Sequence, residues 1–343
     1  MASLWPVLPW VKAHQDQIGF ALQAFPIDTP AEPARHLLAA AQLAEKLGFD
    51  AFFVGDHPAW AIDGWLHLAA IAVTTTRIRL GSLVNCAGYR PPVMTARLAA
   101  DLDNLSQGRL ILGLGIGWDD NEFAQLGLPV LPVRDRQAAL EEALAIIRGV
   151  WGSAPFTFQG RYHQTTNAQV RPAPLQQPTP PLLLAGGGER VTLRQVAQYA
   201  HGCNFVSFGK GLLSAADTVD SVQHKLAVLR QHCEAIGRPF DTVLRTFSPG
   251  WVILSADQAG LQAKLRHYFP HGLEQRYAGP WANFVLAGTP EQVIPYFQSL
   301  AAAGIQYFIA ETLDAADVET IHLLAEQVVP ALRRNNTPAP QNQ

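Results

Sequence analysis

The strongest constraint on how this chain can fold is a repeated exchange between two hydrophobic periods. Short runs that are apolar at almost every position alternate with longer stretches whose apolar residues recur at helical spacing. The first run, residues 18–24, is followed by Pro26 and Pro30 as breakers and then by an alanine-rich helical pattern over 32–47, which Gly48 ends. The exchange repeats with strands at 51–54, 78–84 and 110–114 and helices at 64–75, 93–106 and 133–151. Strands apolar throughout, joined by helices of ten or more residues, predict a parallel sheet covered on both faces. Both a doubly wound sheet and a closed barrel satisfy that pattern.

Residues 152–181 interrupt the rhythm with many Pro and Gln residues and a hairpin pattern at 156–163. Alternation then resumes: strands at 202–206, 243–254 and 305–310 follow one at 182–185, with helices at 190–199, 216–236 and 290–303 and a closing helix to Leu332. Only 256–280 reads less clearly. Eight strands over roughly 300 residues suit an α/β protein of the (β/α)8 TIM-barrel type, whose barrels run to about 250 residues plus extras. The prediction is one barrel domain over 1–334, an insertion after the fourth β/α unit, and a disordered polar tail at 335–343.

Hydrophobic residues at 48% and charged residues at 15% supply a large core and argue against global disorder. A net charge of −3 makes nucleic acid and anionic membranes poor partners. Cys86, Cys203 and Cys233 lie far apart without a CxxC pair, which speaks against a disulfide framework or a cysteine zinc site and for a reducing compartment. No basic stretch leads into an apolar run near Met1, and no eighteen-residue apolar span occurs, so a cytoplasmic protein is expected.

In a parallel barrel the active site is built by the loops after the strands. After strand two, Asp56, His57 and Trp60 bring a carboxylate, an imidazole and an indole to the mouth. The histidine is the candidate acid or base, with the carboxylate to orient it or hold its proton. The plainer alternative makes Asp56 a helix cap and His57 a packing residue. After strand four, Gly113, Gly115 and Gly117 permit close approach of a ligand to backbone, although GxGxG is not the dinucleotide fingerprint GxGxxG. Asp119 or Asp120 would cap the next helix. After strand five, Gly186, Gly187 and Gly188 open a helix with Arg190 and Thr192, an arrangement that suits phosphate unless it is a simple turn. No P-loop is present, and His267 with His271 lacks a third ligand, so no metal site is expected. Trp5, Trp10, Trp251 and Trp281 read as core or interface aromatics.

The stretches Arg77 to Val84, Tyr89-Arg90-Pro91-Pro92 and Leu102 to Arg109, running into Gly113 to Trp118, resemble the bacterial luciferase-like superfamily, closest to its branch of deazaflavin (coenzyme F420)-dependent oxidoreductases. The hairpin Phe158 to Tyr162 and the glycine loop Gly186 to Arg190 follow in the family's order, and the resemblance spans Ile18 to about Leu332. It implies a barrel, often a homodimer, holding F420 or, alternatively, FMN over its mouth. It implies His57 for proton transfer beside Asp56, with Trp60 in the same pocket, and a non-proline cis peptide near Leu83-Val84 behind the ring. Gly115, Ile116, Gly117 and Asn121 match the loop along the cofactor side chain, and Gly186, Gly187, Gly188, Arg190 and Thr192 match the phosphate loop. Trp118 stands where some sugar-phosphate relatives carry glutamate, and Gln23 replaces an acidic residue among the cofactor-facing positions.

These departures turn the expected substrate from sugar phosphates toward a small apolar or aromatic molecule, reached through Trp118 and selected by loops such as 152–181 and 210–220. The leading reading is hydride transfer between F420 and that substrate. Its rivals are an FMN-dependent monooxygenase served by a separate flavin reductase, a non-catalytic flavin-binding protein and, more distantly, a metal-dependent hydrolase.

Overall fold

The computed structural model describes residues 5–24, 32–59, 61–206, 215–272 and 284–335. Eight parallel strands close into a TIM barrel: β1 (Gly19–Ala24), β2 (Ala51–Val54), β3 (Arg79–Ser82), β5 (Leu110–Gly115), β8 (Leu182–Ala185), β9 (Gly202–Val206), β10 (Leu244–Ser248) and β13 (Tyr307–Thr312). Closure is made by β1 against β13, in register from Gly19 opposite Tyr307 to Ala24 opposite Thr312. Five further strands are local additions. β4 (Asn85–Cys86) extends the line of β3 and pairs with β5, while β6 (Phe156–Gln159) and β7 (Gln164–Ala168) form a separate hairpin. β11 (Trp251–Leu254) pairs with β12 (Val285–Gly288) and touches β13 at Glu311.

The predicted single strand over 243–254 is therefore two, broken at Gly250, whose φ of +89° and close contact with the Phe284 backbone allow the turn. The obscure region after it contains the helix Gln258–Tyr268, started by Asp257, whose side chain accepts from the Gly260 amide. The insertion lies where expected, after the helix Val133–Val150 that follows the fourth barrel strand. Its hairpin is longer than predicted because β7 continues to Ala168. It is fastened to that helix by Glu142, which accepts from the amides of Arg161, Tyr162 and His163.

Alternate residues of each strand divide the apolar mass in two. Outward residues such as Phe20, Phe52, Leu112 and Phe308 meet the surrounding helices. The helix Pro33–Leu47, for example, turns Leu37, Ala40, Ala41 and Ala44 onto them and stops at Gly48, φ +82°. Inward residues Ala21, Ala51, Phe53, Ile111, Leu183, Leu244, Tyr307 and Ile309 fill the interior, each fully buried large side chain contributing about 1.5–3 kcal/mol. At the amino ends of the strands this interior is stopped by the short helix Pro9–Lys12, whose Trp10 is 1% exposed and stands edge-on to Tyr307. Gly202 makes room for it: a Cβ there would lie 3.0 Å from the Trp10 ring. Among the described residues, no helix is long and apolar enough to cross a membrane.

Candidate active site

At the carboxyl ends of the strands the packing gives way to a cavity of about 270 Å³, near the lower bound of roughly 300–1,000 Å³ usual for ligand pockets. Gln23, Asp56, His57, Leu83 and Val84 line one side, and Gly115, Ile116, Gly117, Trp118 and Gly186 another. Eleven of the residues singled out from the sequence, drawn from five separate strand ends, therefore meet: Gln23, Asp56, His57, Leu83, Val84, Gly115, Ile116, Gly117, Trp118 and Gly186 on the walls, with Gly113 beneath them. The Leu83-Val84 peptide is cis, at the position the resemblance implies. Glycine is required opposite it, since a Cβ on Gly113 would run into the Ser82 carbonyl oxygen and one on Gly115 would come within 2.8 Å of the Val84 side chain. Gln23 helps to hold this edge, donating from Nε2 to the Leu83 carbonyl at 3.0 Å.

The carboxylate that holds His57 is not Asp56, as expected, but Glu122. The His57 Nδ1 lies 2.9 Å from Glu122 Oε2, which also accepts from the Tyr89 hydroxyl at 2.6 Å, while Oε1 accepts from the Ala59 amide at 3.2 Å. Glu122 is fully buried on the helix Asp120–Gln125, whose N-cap is Asp119. Burial pushes its carboxyl upward, but the bonds from His57 and Tyr89, the His57 charge and the Ala59 amide outweigh it and hold the group below the usual carboxylate range. Burial and the same bond drive the Tyr89 phenol far above its ordinary value, so it remains a donor. Trp118 stands edge-on to His57, ring centroids 5.6 Å apart, and is half exposed.

Asp56 has a different task. It takes both arms of Arg90, at 2.8 and 2.9 Å, and the Cys86 amide at 3.1 Å. Two adjacent residues thus point to separate networks: Asp56 ties the strand-two loop to the strand-three loop, and His57 is left to Glu122. Asp56 is not a helix cap either, since Asp63 caps the following helix by accepting from the Leu66 amide at 2.9 Å. Cys86, on the wall of the cavity, is pushed up to about 12 by burial and stays a thiol.

Other expectations separate. Gly187, Gly188, Arg190 and Thr192 line an open groove next to the cavity, together with Arg134 and Arg194, instead of the cavity itself. Gly186, at φ +130°, is the corner between the two. Lys225, from the helix Ala215–Ala235, reaches this loop and donates to the Gly187 carbonyl at 2.9 Å. Asn121 is exposed on the first turn of its helix and lines neither space. The hairpin of the insertion does not line the cavity, and neither Trp60 nor residues 207–214 fall within the described residues; Trp281 lies outside them too. Trp251, read as a core or interface aromatic, is buried in a core cluster with Phe284 and also reaches the cavity wall, beside Val206 and Asn204.

Sequence reasoning assigned no role to Glu122, Tyr89, Arg90 or Glu311. Tyr89 and Arg90 stand inside a stretch that carries the resemblance, and Glu122 lies one residue beyond the glycine loop 113–121. Glu311 is the penultimate residue of β13 and directly follows the predicted strand 305–310, the position at which a polar residue signals the barrel mouth.

The family described as luciferase-like monooxygenase matches residues 17–307. The chain belongs to that family. As a luciferase-like protein it is 27% identical over 334 residues to the F420-dependent glucose-6-phosphate dehydrogenase of Amycolatopsis mediterranei, across 87% of this chain and 95% of that one. Its fold is similar to that of the coenzyme F420-dependent tetrahydromethanopterin reductase of Methanopyrus kandleri, with TM-score 0.75 and 19% identity over 92% of this chain and 99% of the other. A similar match is the FMN-bound type II Baeyer-Villiger monooxygenase, the oxygenating constituent of 3,6-diketocamphane monooxygenase of Pseudomonas putida, with TM-score 0.74 and 17% identity over 92% and 98% of the two chains. The protein is an oxidoreductase of the luciferase-like family, and the resemblance read from its sequence holds.

Proposed function

We propose that this luciferase-like enzyme transfers a hydride between coenzyme F420 and a small, largely apolar or aromatic organic substrate, with His57 supplying or taking up the accompanying proton. The observation that carries the reading is His57 on the wall of a mainly apolar cavity with its Nδ1 fixed by buried Glu122. An imidazole held that way at Nδ1 exchanges its proton through Nε2 and is pre-oriented for the task.

The chain fits the cofactor. Gly115 and Gly117 present backbone on the cavity wall beside the Leu83-Val84 edge, where a Cβ would collide with Val84 or Cys86, and the groove beyond Gly186 collects glycine amides, a helix start, Arg134, Arg190 and Arg194 for an anionic side chain. When bound, the deazaflavin provides the carbon that gives or receives hydride. Leu83, Val84, Gly115, Ile116 and Gly117 would hold its ring, and Gly186, Gly187, Gly188, Arg190 and Thr192 its phosphate-bearing arm. Among the described residues that line the cavity there is no lysine or arginine, which favours an uncharged substrate over the sugar phosphate of the Amycolatopsis relative's name.

The test is a titration of purified protein with F420 and with FMN, each oxidised and reduced, followed by turnover of alcohols and ketones by His57→Ala. F420 preference, with binding intact and turnover reduced by about 10²–10⁴ in the variant, is expected for a lost acid–base group. Preference for reduced FMN would move the assignment to a monooxygenase, and unchanged turnover would remove His57 from the chemistry.

A further inference from the structure

One carboxyl group in the cavity has no counterpart in the networks above. Glu311 lies on the inner face of β13, one layer beyond Tyr307 and Ile309, and is 5% exposed. Asp56 and Glu122, the other carboxylates of the cavity region, are saturated by Arg90, His57, Tyr89 and backbone amides. Among the described residues, nothing donates to Glu311 or forms an ion pair with it. Its neighbours in register are Trp251 on β11 and Gln23 on β1. The Gln23 amide is already spent on the Leu83 carbonyl, and its Oε1 is itself buried without a partner. Two adjacent polar groups thus face the cavity with hydrogen-bonding capacity unused, where an unmet buried polar group ordinarily costs about 1–3 kcal/mol.

A bare carboxylate buried without a cation is far more costly than a neutral acid. Burial accordingly lifts the Glu311 carboxyl to about 8, with no charged neighbour contributing. The ionisable groups that share the cavity with it, Asp56, His57, Cys86 and Tyr89, come from the segments after β2 and β3; Asp56, His57 and Tyr89 are held there by Arg90 and Glu122, and Cys86 stays a thiol.

We infer that Glu311 is the substrate-recognising group of this cavity, a carboxylic acid that donates its O–H to the oxygen of an uncharged ketone or alcohol. The inference rests on the reading that the cavity is where substrate sits beside the cofactor. It narrows that reading to oxygen-bearing neutral molecules with an apolar body, the body lying against Trp251 and Phe284. An anion of the same shape meets an acid in place of a cation and is disfavoured.

The experiment is calorimetric titration of acetophenone, cyclohexanone and benzoate into protein saturated with oxidised F420, at pH 7 and pH 9, for wild type, Glu311→Gln and Glu311→Leu. With an acid near 8, about nine-tenths of the donor is present at pH 7 and about one-tenth at pH 9. Wild type is therefore expected to lose about tenfold in ketone affinity over that interval. The Gln variant keeps an N–H donor and should show a flat profile, the Leu variant should bind weakly at both pH values, and benzoate should bind at least tenfold more weakly than acetophenone. A flat wild-type profile, a Leu variant that binds like wild type, or failure of both ketones to bind overturns the inference. Should the Leu variant not fold, the comparison of wild type with Gln still decides. Infrared spectroscopy of the protein without cofactor gives an independent arm: a protonated-carboxyl band at pH 7 that Glu311→Gln removes is expected, and its absence from wild type also overturns the inference. Failure to bind F420 with that band present counts against the proposed function alone.

Discussion

Replacing Glu122 by Gln changes one oxygen to an amide and keeps the shape of the side chain, so it isolates what the charge does. In the native site Oε2 accepts from two donors, His57 and Tyr89, and Oε1 from a third, the Ala59 amide. Glutamine has one acceptor and one donor end. With its oxygen toward His57, its NH2 confronts the Ala59 amide; with its oxygen toward Ala59, its NH2 confronts His57 Nδ1, which must then accept. The second arrangement moves the imidazole proton to Nε2 and reverses the role of the nitrogen that would serve the substrate. A hydrogen bond to a charged group is worth about 1.5–3 kcal/mol, which converts at about 1.4 kcal/mol per decade to a loss of roughly 10- to 150-fold in turnover. The leftover buried donor should cost about 1–3 kcal/mol of stability as well. Nitrogen-15 spectra of histidine-labelled protein, with His57→Ala to assign the signal, report the tautomer without any substrate. A variant with His57 still protonated at Nδ1 and turnover within threefold of wild type would refute the argument that Glu122 sets this residue's role.

Three further outcomes are expected. Asp56→Ala strands a largely buried Arg90 whose next acidic neighbour, Asp63, is 3.8 Å away, and should cost about 3–5 kcal/mol in urea unfolding; a loss under 1 kcal/mol would show that the pair is dispensable. Gly113→Ala drives a methyl into the Ser82 carbonyl, backbone that has no rotamer to yield, and should cost about 3 kcal/mol, with an unchanged urea midpoint as the contrary result. Glu45 is opposed by its own desolvation but held below its ordinary value by the amides of Thr76, Arg77 and Ile78. A depressed carboxyl stabilises the fold above its unfolded value and loses that contribution as pH falls, so unfolding midpoints should drop below about pH 4.5 and drop less in Glu45→Gln; parallel curves would contradict this.

The barrel was legible because most of its strands, such as Ala51–Val54 and Leu182–Ala185, are apolar on both faces and successive strands are separated by a helical period. The family was legible for a related reason: its strongest stretch is structural. Arg109 donates to the carbonyls of Ala72, Thr75, Ile78 and Ser106, and Asp103 accepts from Gln176, so these residues tie loops together through contacts that tolerate few replacements. What was not legible was partnership. Asp56 and His57 are neighbours in sequence, and adjacency suggested a pair, but the chain turns between them and sends each to a residue 34 or 65 positions away. Glu311 was hidden by its surroundings, since the run Tyr307 to Ala310 reads as core and only closure against β1 shows that the residue after it, opposite Gln23, faces the mouth. The break at Gly250 was missed although Pro249-Gly250 is a turn pair, because apolar residues on either side, Val243, Leu244 and Phe247 before it and Trp251 to Leu254 after it, read as one strand.

Trp10, at the other end of the barrel, has a consequence for traffic. With that end stopped and the interior filled by Phe53, Tyr307, Ile309 and their neighbours, the described residues leave no passage through the barrel, so molecules reach the cavity from the carboxyl ends of the strands. A cofactor seated against the Leu83-Val84 wall, as proposed above, is expected to load before a substrate lying over it. The proposed order of binding would thus depend on an indole and a packed interior some distance from the chemistry.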